Sequence, residues 1–144
     1  MLKIITKNKK AYFDYEILDQ LEAGIELSGS EVKSVIAGHI SLDESFVKII
    51  DSEAYLWNCH INKYRFNTDL IDEVRSRKLL LKKREILKLY ENIKRNSNTL
   101  IPLEVYISNN NMIKVKIGLA KGKKLYDKRE AVKQREIKKE IGKY

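Results

Sequence analysis

Apolar residues in this chain recur at two different spacings, and the switches between them mark out the elements. Leu21, Ala23, Ile25 and Leu27 alternate with Glu22, Gly24 and Glu26, a period of two that predicts a strand with both glutamates facing outward. Ser28-Gly29-Ser30-Glu31 then places a hydroxyl three residues before a glutamate, the pattern of a capping box, ahead of Val32, Val35 and Ile36. This predicts a short helix over about residues 30–37, stopped by Gly38.

Residues 45–50 and 53–61 read as a strand hairpin turned at Asp51-Ser52. The period is lost over residues 62–77, a connection long enough to suggest function or disorder. It returns as a helical period over residues 78–96, with Leu79, Ile86, Tyr90 and Ile93 to one side and Leu80, Leu87 and Leu89 broadening it. Lys82, Lys83, Arg84, Lys88 and Lys94 form its back, which meets either phosphate or water. Leu103, Val105 and Ile107, then Ile113, Val115, Ile117 and Leu119, form a last hairpin about Asn109-Asn110-Asn111. Pro102 falls near the start of its first strand.

Near the N-terminus the run Lys7-Asn8-Lys9-Lys10 has no period and predicts a flexible basic arm over residues 1–11. Tyr12, Phe13 and Tyr15 follow it. They either stack on unpaired bases or open a half-buried strand.

Charge changes the picture most at the other end. The 144 residues carry a net charge of +9, and residues 121–144 contribute eight Lys and two Arg against one Asp and three Glu. The expected layout is therefore a folded body over residues 12–120 and a basic tail over 121–144. Such a charge balance points to a polyanion: RNA, DNA or, with less support, an anionic membrane surface. Cys59 is the single cysteine, which excludes an internal disulfide and a multi-cysteine zinc site and fits a reducing cytoplasm. No apolar run reaches the length of a membrane span, and Met1-Leu2-Lys3-Ile4-Ile5 is too short for a signal-peptide core.

Five or six antiparallel strands with a helix between the third and fourth main strands predict a mainly β fold. The expected form is an OB-like closed antiparallel barrel of about six strands, with two or three flanking helices and the basic C-terminal tail. His39 and His60 are far apart, and no P-loop, serine elbow or metal-ligand spacing occurs. A nuclease built on Asp14, Glu16 and Glu22 is the only enzyme the residues suggest. The expectation is a binding protein, with no catalytic residues, no metal and no cofactor.

Several stretches carry a resemblance to a known family. They are Asn8-Lys9-Lys10-Ala11, Glu22-Ala23-Gly24-Ile25, Gly29-Ser30-Glu31-Val32-Lys33-Ser34, Ala37-Gly38, Glu53-Ala54-Tyr55-Leu56, Arg77-Lys78-Leu79-Leu80-Leu81 and the run Gly118 to Arg129. In this order they resemble the small protein B family, the SsrA-binding (transfer-messenger RNA-binding) proteins of bacterial trans-translation. The resemblance implies a barrel that grips the tRNA-like domain of transfer-messenger RNA and a tail that is disordered when free. On the ribosome that tail would lie in the vacant decoding centre and mRNA channel, becoming helical there.

The implied partners are transfer-messenger RNA, small-subunit ribosomal RNA and, indirectly, the elongation factor carrying the alanyl-charged RNA, with a monomeric protein and no membrane. The implied RNA-binding residues are Lys9, Lys10, Tyr15, Glu22, Lys33, Arg77, Lys78, Leu80, Lys121, Lys123 and Lys124. The implied decoding-centre residues are Gly122, Lys123, Lys124, Tyr126, Asp127, Lys128 and Arg129. Tyr12, Phe13, Ile36 and Lys82 depart from the family's pattern and carry no such assignment. The rival reading is another OB-type, ribosome-associated RNA-binding factor.

Overall fold

The computed structural model describes residues 3–62 and 73–122. In chain order they form β1 (Lys3–Lys7), α1 (Lys9–Asp14), β2 (Tyr15–Ile25), α2 (Gly29–Ile36), β3 (Ile40–Ser41), β4 (Phe46–Ile50), β5 (Glu53–Trp57) and β6 (His60–Ile61). β7 (Arg77–Leu80), α3 (Lys83–Asn96), β8 (Thr99–Ile107) and β9 (Ile113–Gly122) complete them. The protein is mainly β. Six strands in the order β8-β4-β5-β7-β2-β9 close on themselves through the β8–β9 pairing, and β1 pairs with the C-terminal half of β8, beyond the point where β4 meets it. β3 and β6 form a separate two-stranded sheet.

Local chemistry explains most of these boundaries. Ser28 Oγ accepts from the Glu31 amide while the Glu31 carboxylate accepts from the Ser28 amide at 3.0 Å, so the capping box starts α2. Gly38 follows its end at φ +85, a conformation that costs glycine little. Asp51 and Ser52 both take positive φ at the β4–β5 turn, the geometry that matches the twist of a two-residue hairpin. Asn111 does the same between β8 and β9.

The interior is the alternate set of each strand. Ala23, Leu56, Leu79, Leu100, Val105, Val115 and Ile117 are buried, with Val35 of α2 against them. α3 adds Ile86 and Leu89, and Ile93 packs at the margin. Complete burial of one such side chain contributes about 1.5–3 kcal/mol, so these positions hold the ring together.

Three sequence expectations need correction. The N-terminal segment is not a loose arm: Lys3–Lys7 pairs antiparallel with β8, and Asn8 anchors the turn that follows. Asn8 Oδ1 caps α1 by accepting from the Ala11 amide, while its Nδ2 donates to the Pro102 carbonyl at 3.0 Å. Tyr12 and Phe13 therefore lie in α1, and Tyr15 opens β2.

Next, the helix expected from residue 78 begins at Lys83, because Arg77–Leu80 is a strand between β2 and β5. Its leucine run satisfies either period, and strand pairing on both sides decides it. Lastly, β9 continues through Lys121 and Gly122, which pair with Glu16 and Tyr15. The body thus extends two residues past the boundary expected at Ala120. Pro102 lies inside β8, at a register shift that removes the need for its missing N–H.

Candidate nucleic-acid interface

β2 is the spine that places the candidate residues. It pairs with β9 along most of its length and with β7 at its C-terminal end, where Gly24 faces Leu80 and Ile25 faces Leu79. A Cβ at Gly24 would lie 3.2 Å from Leu80 Cβ. Glycine here lets Leu80 lie over the strand with half its surface exposed. Lys78, two residues earlier on the same face, pairs with Glu53 at 3.0 Å, and the Tyr55 hydroxyl donates to the other Glu53 oxygen at 2.8 Å. These contacts hold the Glu53 carboxyl below its usual range and raise Lys78.

Glu22 points outward from β2, as its alternation predicts. One carboxylate oxygen accepts from the hydroxyl of Tyr106, a side chain from β8 that is itself buried. Burial, then the Glu22 hydrogen bond, raises the Tyr106 phenol above its ordinary value and keeps it a donor. Lys116 stands opposite Glu22 on β9 and pairs with Glu104 at 3.5 Å. Glu22, Gly24, Lys78, Leu80, Lys82 and Lys114 line one groove. It offers a carboxylate acceptor, an exposed apolar side chain and three ammonium groups, a set suited to base amino groups, ribose 2′-hydroxyls and phosphates.

The opposite end of β2 gathers a second group. Tyr15 pairs with Gly122 and Glu16 with Lys121, while Lys9 and Lys10 lie just ahead on α1. Lys10 forms an ion pair with Glu44 at 2.9 Å. The Tyr15 ring packs beside Ala11, Ile101, Leu103 and Ala120. Seven residues of strand separate Tyr15 from Glu22, about 23 Å. Gly122, the last described residue, therefore lies at the far end of β2 from the Glu22 groove.

Lys33 is exposed on α2 and lines neither the Glu22 groove nor the cleft beside Tyr15. Lys123, Lys124, Tyr126, Asp127, Lys128 and Arg129 lie outside the described residues. Arg77 is a correction: its side chain is fully buried and cannot face RNA. Its guanidinium holds the Glu31 carboxylate from Nε at 2.8 Å and Nη2 at 2.7 Å and donates to the carbonyls of Cys59, Arg75 and Glu73. Burial alone would push the Glu31 carboxyl up. Hydrogen bonds from Arg75, the Ser28 amide and Arg77 outweigh it and hold the group below the usual carboxylate range. Nearby Cys59 is pushed up to about 11 by burial, so it is a packed thiol and not a reactive one.

A family model described as SmpB protein matches residues 5–144. The chain belongs to the SmpB family. The SsrA-binding protein of Helicobacter hepaticus is 49% identical over 141 residues, covering 96% of this chain and 91% of that one. The SsrA-binding protein of Mycoplasmoides gallisepticum is 51% identical over 144 residues, covering 99% and 100%. A solved structure described as "tmRNA-SmpB: a journey to the center of the bacterial ribosome" is similar with a TM-score of 0.71 and 42% identity, covering 88% of this chain and 93% of that one.

Against this SmpB background, sequence reasoning missed Tyr106 and Lys114. Lys114 and Lys116 alternate with Ile113, Val115 and Ile117, so their outward direction was readable. Their place beside Glu22 and Gly24 depends on the β2–β9 register, which no local pattern encodes. Among the described residues, no cluster of three His, Cys, Asp or Glu side chains is arranged to hold a metal ion, and no helix is long and apolar enough to cross a membrane.

Proposed function

We propose that this chain is the transfer-messenger RNA-binding adaptor of trans-translation: it grips the tRNA-like domain with its β body and delivers that RNA to stalled ribosomes. The observation that carries the reading is its full-length similarity to SsrA-binding proteins and to a structure of SmpB with tmRNA and the ribosome. The groove chemistry supports it. Glu22, Lys78, Leu80 and Lys114 converge from three strands on one exposed face. The protein acts by binding and performs no catalysis, as a cytoplasmic monomer.

The six-stranded ring is an OB-like barrel in this reading, supported by its β8–β9 closure and by α3 between β7 and β8. Lys9, Lys10, Tyr15 and Lys121 form a second, basic contact region where the tail begins. Residues 123–144 act separately from the grip: Lys123, Lys124, Lys128 and Arg129 seek phosphate, Tyr126 stacks, and Asp127 caps a helix formed on the ribosome.

Truncation after Gly122 tests this division. The shortened chain should keep its melting temperature and bind transfer-messenger RNA within about threefold of the full chain, yet fail to tag peptides on stalled ribosomes. Loss of both activities together would defeat the two-part reading. Failure of the full chain to prefer transfer-messenger RNA over an unrelated structured RNA would defeat the function itself.

A further inference from the structure

We propose that the Glu22 groove is one end of a longer RNA track, which continues along α3 past Tyr90 to Lys94. The inference rests on the RNA-binding reading above and extends its site to an element outside it. Besides Glu22 and Leu80, the groove takes in Ser52, Lys83 and Ile86. Those three residues also line a second groove, between the β4–β5 turn and α3, whose far wall is Leu87 and Tyr90. Shared walls make the two grooves contiguous.

The α3 wall is built like a ligand surface. At 100° per residue, Lys83, Leu87, Tyr90 and Lys94 fall within a sector of roughly 60°, and Lys83 to Lys94 spans about 16 Å of helix. Leu87 and Tyr90 are 59% and 48% exposed. The helix buries Ile86, at the edge of this sector, and Leu89 beyond it, so the core has no use for Leu87 and Tyr90. Lys82 to Asn96 carries six basic residues against two acidic ones. One of those acids, Glu85, is committed to the Lys82 amide at 2.9 Å. Among the described residues no carboxylate lies within ion-pair distance of Lys83, Arg84, Lys88, Lys94 or Arg95.

An exposed aromatic ring between two lysines fits an unpaired base stacked on Tyr90 with its flanking phosphates on Lys83 and Lys94. An acidic protein fits worse. Glu22, Glu53, Glu85 and Asp51 also line the track; they would repel acidic side chains but can accept from base amino groups and 2′-hydroxyls. The occupant is therefore the same RNA that Glu22 meets.

The test compares the full chain with Lys83→Gln/Lys94→Gln, Tyr90→Ala and Glu22→Lys, using transfer-messenger RNA transcript as probe. The four side chains are exposed, so melting temperatures should stay within about 3 °C. The double glutamine variant should weaken binding and reduce the magnitude of the slope of log affinity against log salt by about 1.4 to 1.8. Tyr90→Ala should weaken binding by about 5- to 100-fold. In ribose footprinting, the α3 variants should lose protection at nucleotides other than those lost with Glu22→Lys.

An unchanged slope and footprint in the α3 variants would overturn the track, leaving α3 to water or an acidic protein, while loss confined to Glu22→Lys would leave the reading above intact. If the α3 variants lose binding and Glu22→Lys does not, the track stands at its α3 end and the Glu22 grip is wrong. If the unaltered chain does not select this RNA, both fail.

Discussion

Replacing Arg77 with methionine separates a core arginine from an RNA-gripping one, because the two roles predict opposite results. The structure gives Arg77 four hydrogen bonds in a fully buried site, one to Glu31 and three to main-chain carbonyls, and brings its Nη2 within ion-pair distance of the same Glu31 oxygen. Methionine fills most of the volume and satisfies none of them. Glu31 would keep only Arg75 and the Ser28 amide. Breaking a buried pair by removing one partner typically costs about 3–5 kcal/mol. That is a large share of the roughly 5–15 kcal/mol that stabilises a domain. At about 3 °C per kcal/mol for a chain of this size, the melting temperature should fall by about 10–15 °C.

Urea unfolding followed by circular dichroism measures the loss, and RNA binding measured well below the new transition completes the comparison. Arg77→Met should bind transfer-messenger RNA within about threefold of the unaltered chain with the same salt slope. Combining it with Glu31→Gln should cost less than the two single changes added, by about 0.5–3 kcal/mol, since both remove one shared contact. A variant that melts within about 3 °C of the parent but loses affinity and about one unit of salt slope would refute the buried-pair argument and restore Arg77 to the RNA surface.

The pH dependence of stability should carry the same signature. Because the folded Glu31 carboxyl is lowered, its contribution is fully present above the unfolded value near 4.3 and is lost as pH falls through the folded value, a loss that Glu31→Gln should flatten in acid titration. Tyr106→Phe removes only the hydroxyl that donates to Glu22. It should reduce RNA affinity by about 3- to 10-fold while costing no more than about 1.5 kcal/mol of stability, and unchanged affinity would show that Glu22 needs no positioning. Gly118→Ala places a Cβ 2.9 Å from Leu103 Cδ1, beside a fully buried leucine. It should destabilise by about 1–3 kcal/mol, read as a lower urea midpoint, and Leu103→Val in the same chain should recover part of it.

What could be read from the sequence follows from how local its cause is. The Ser28–Glu31 capping box, the Asp51-Ser52 turn and the alternation through Val115 and Ile117 each depend on residues a few places apart, and each appears where expected. The outward direction of Glu22 was legible for the same reason. The residues that share its groove were not, because Leu80 and Lys114 reach it only through the pairing of β2 with both β7 and β9.

Arg77 is the sharpest instance. In Arg77-Lys78-Leu79-Leu80-Leu81 the inward positions are Arg77 and Leu79, so a charged residue occupies a core position and hides the alternation that would announce a strand. An arginine can be buried there only because Glu31, 46 residues earlier, is buried beside it. The two stretches that carry much of the family resemblance, Gly29 to Ser34 and Arg77 to Leu81, meet at this ion pair. A matched motif says that a residue type is held without saying by what. Here the basic residue of the second stretch is held by the acidic residue of the first, and the same strand turns its neighbours Lys78 and Leu80 outward, to the face proposed above for RNA.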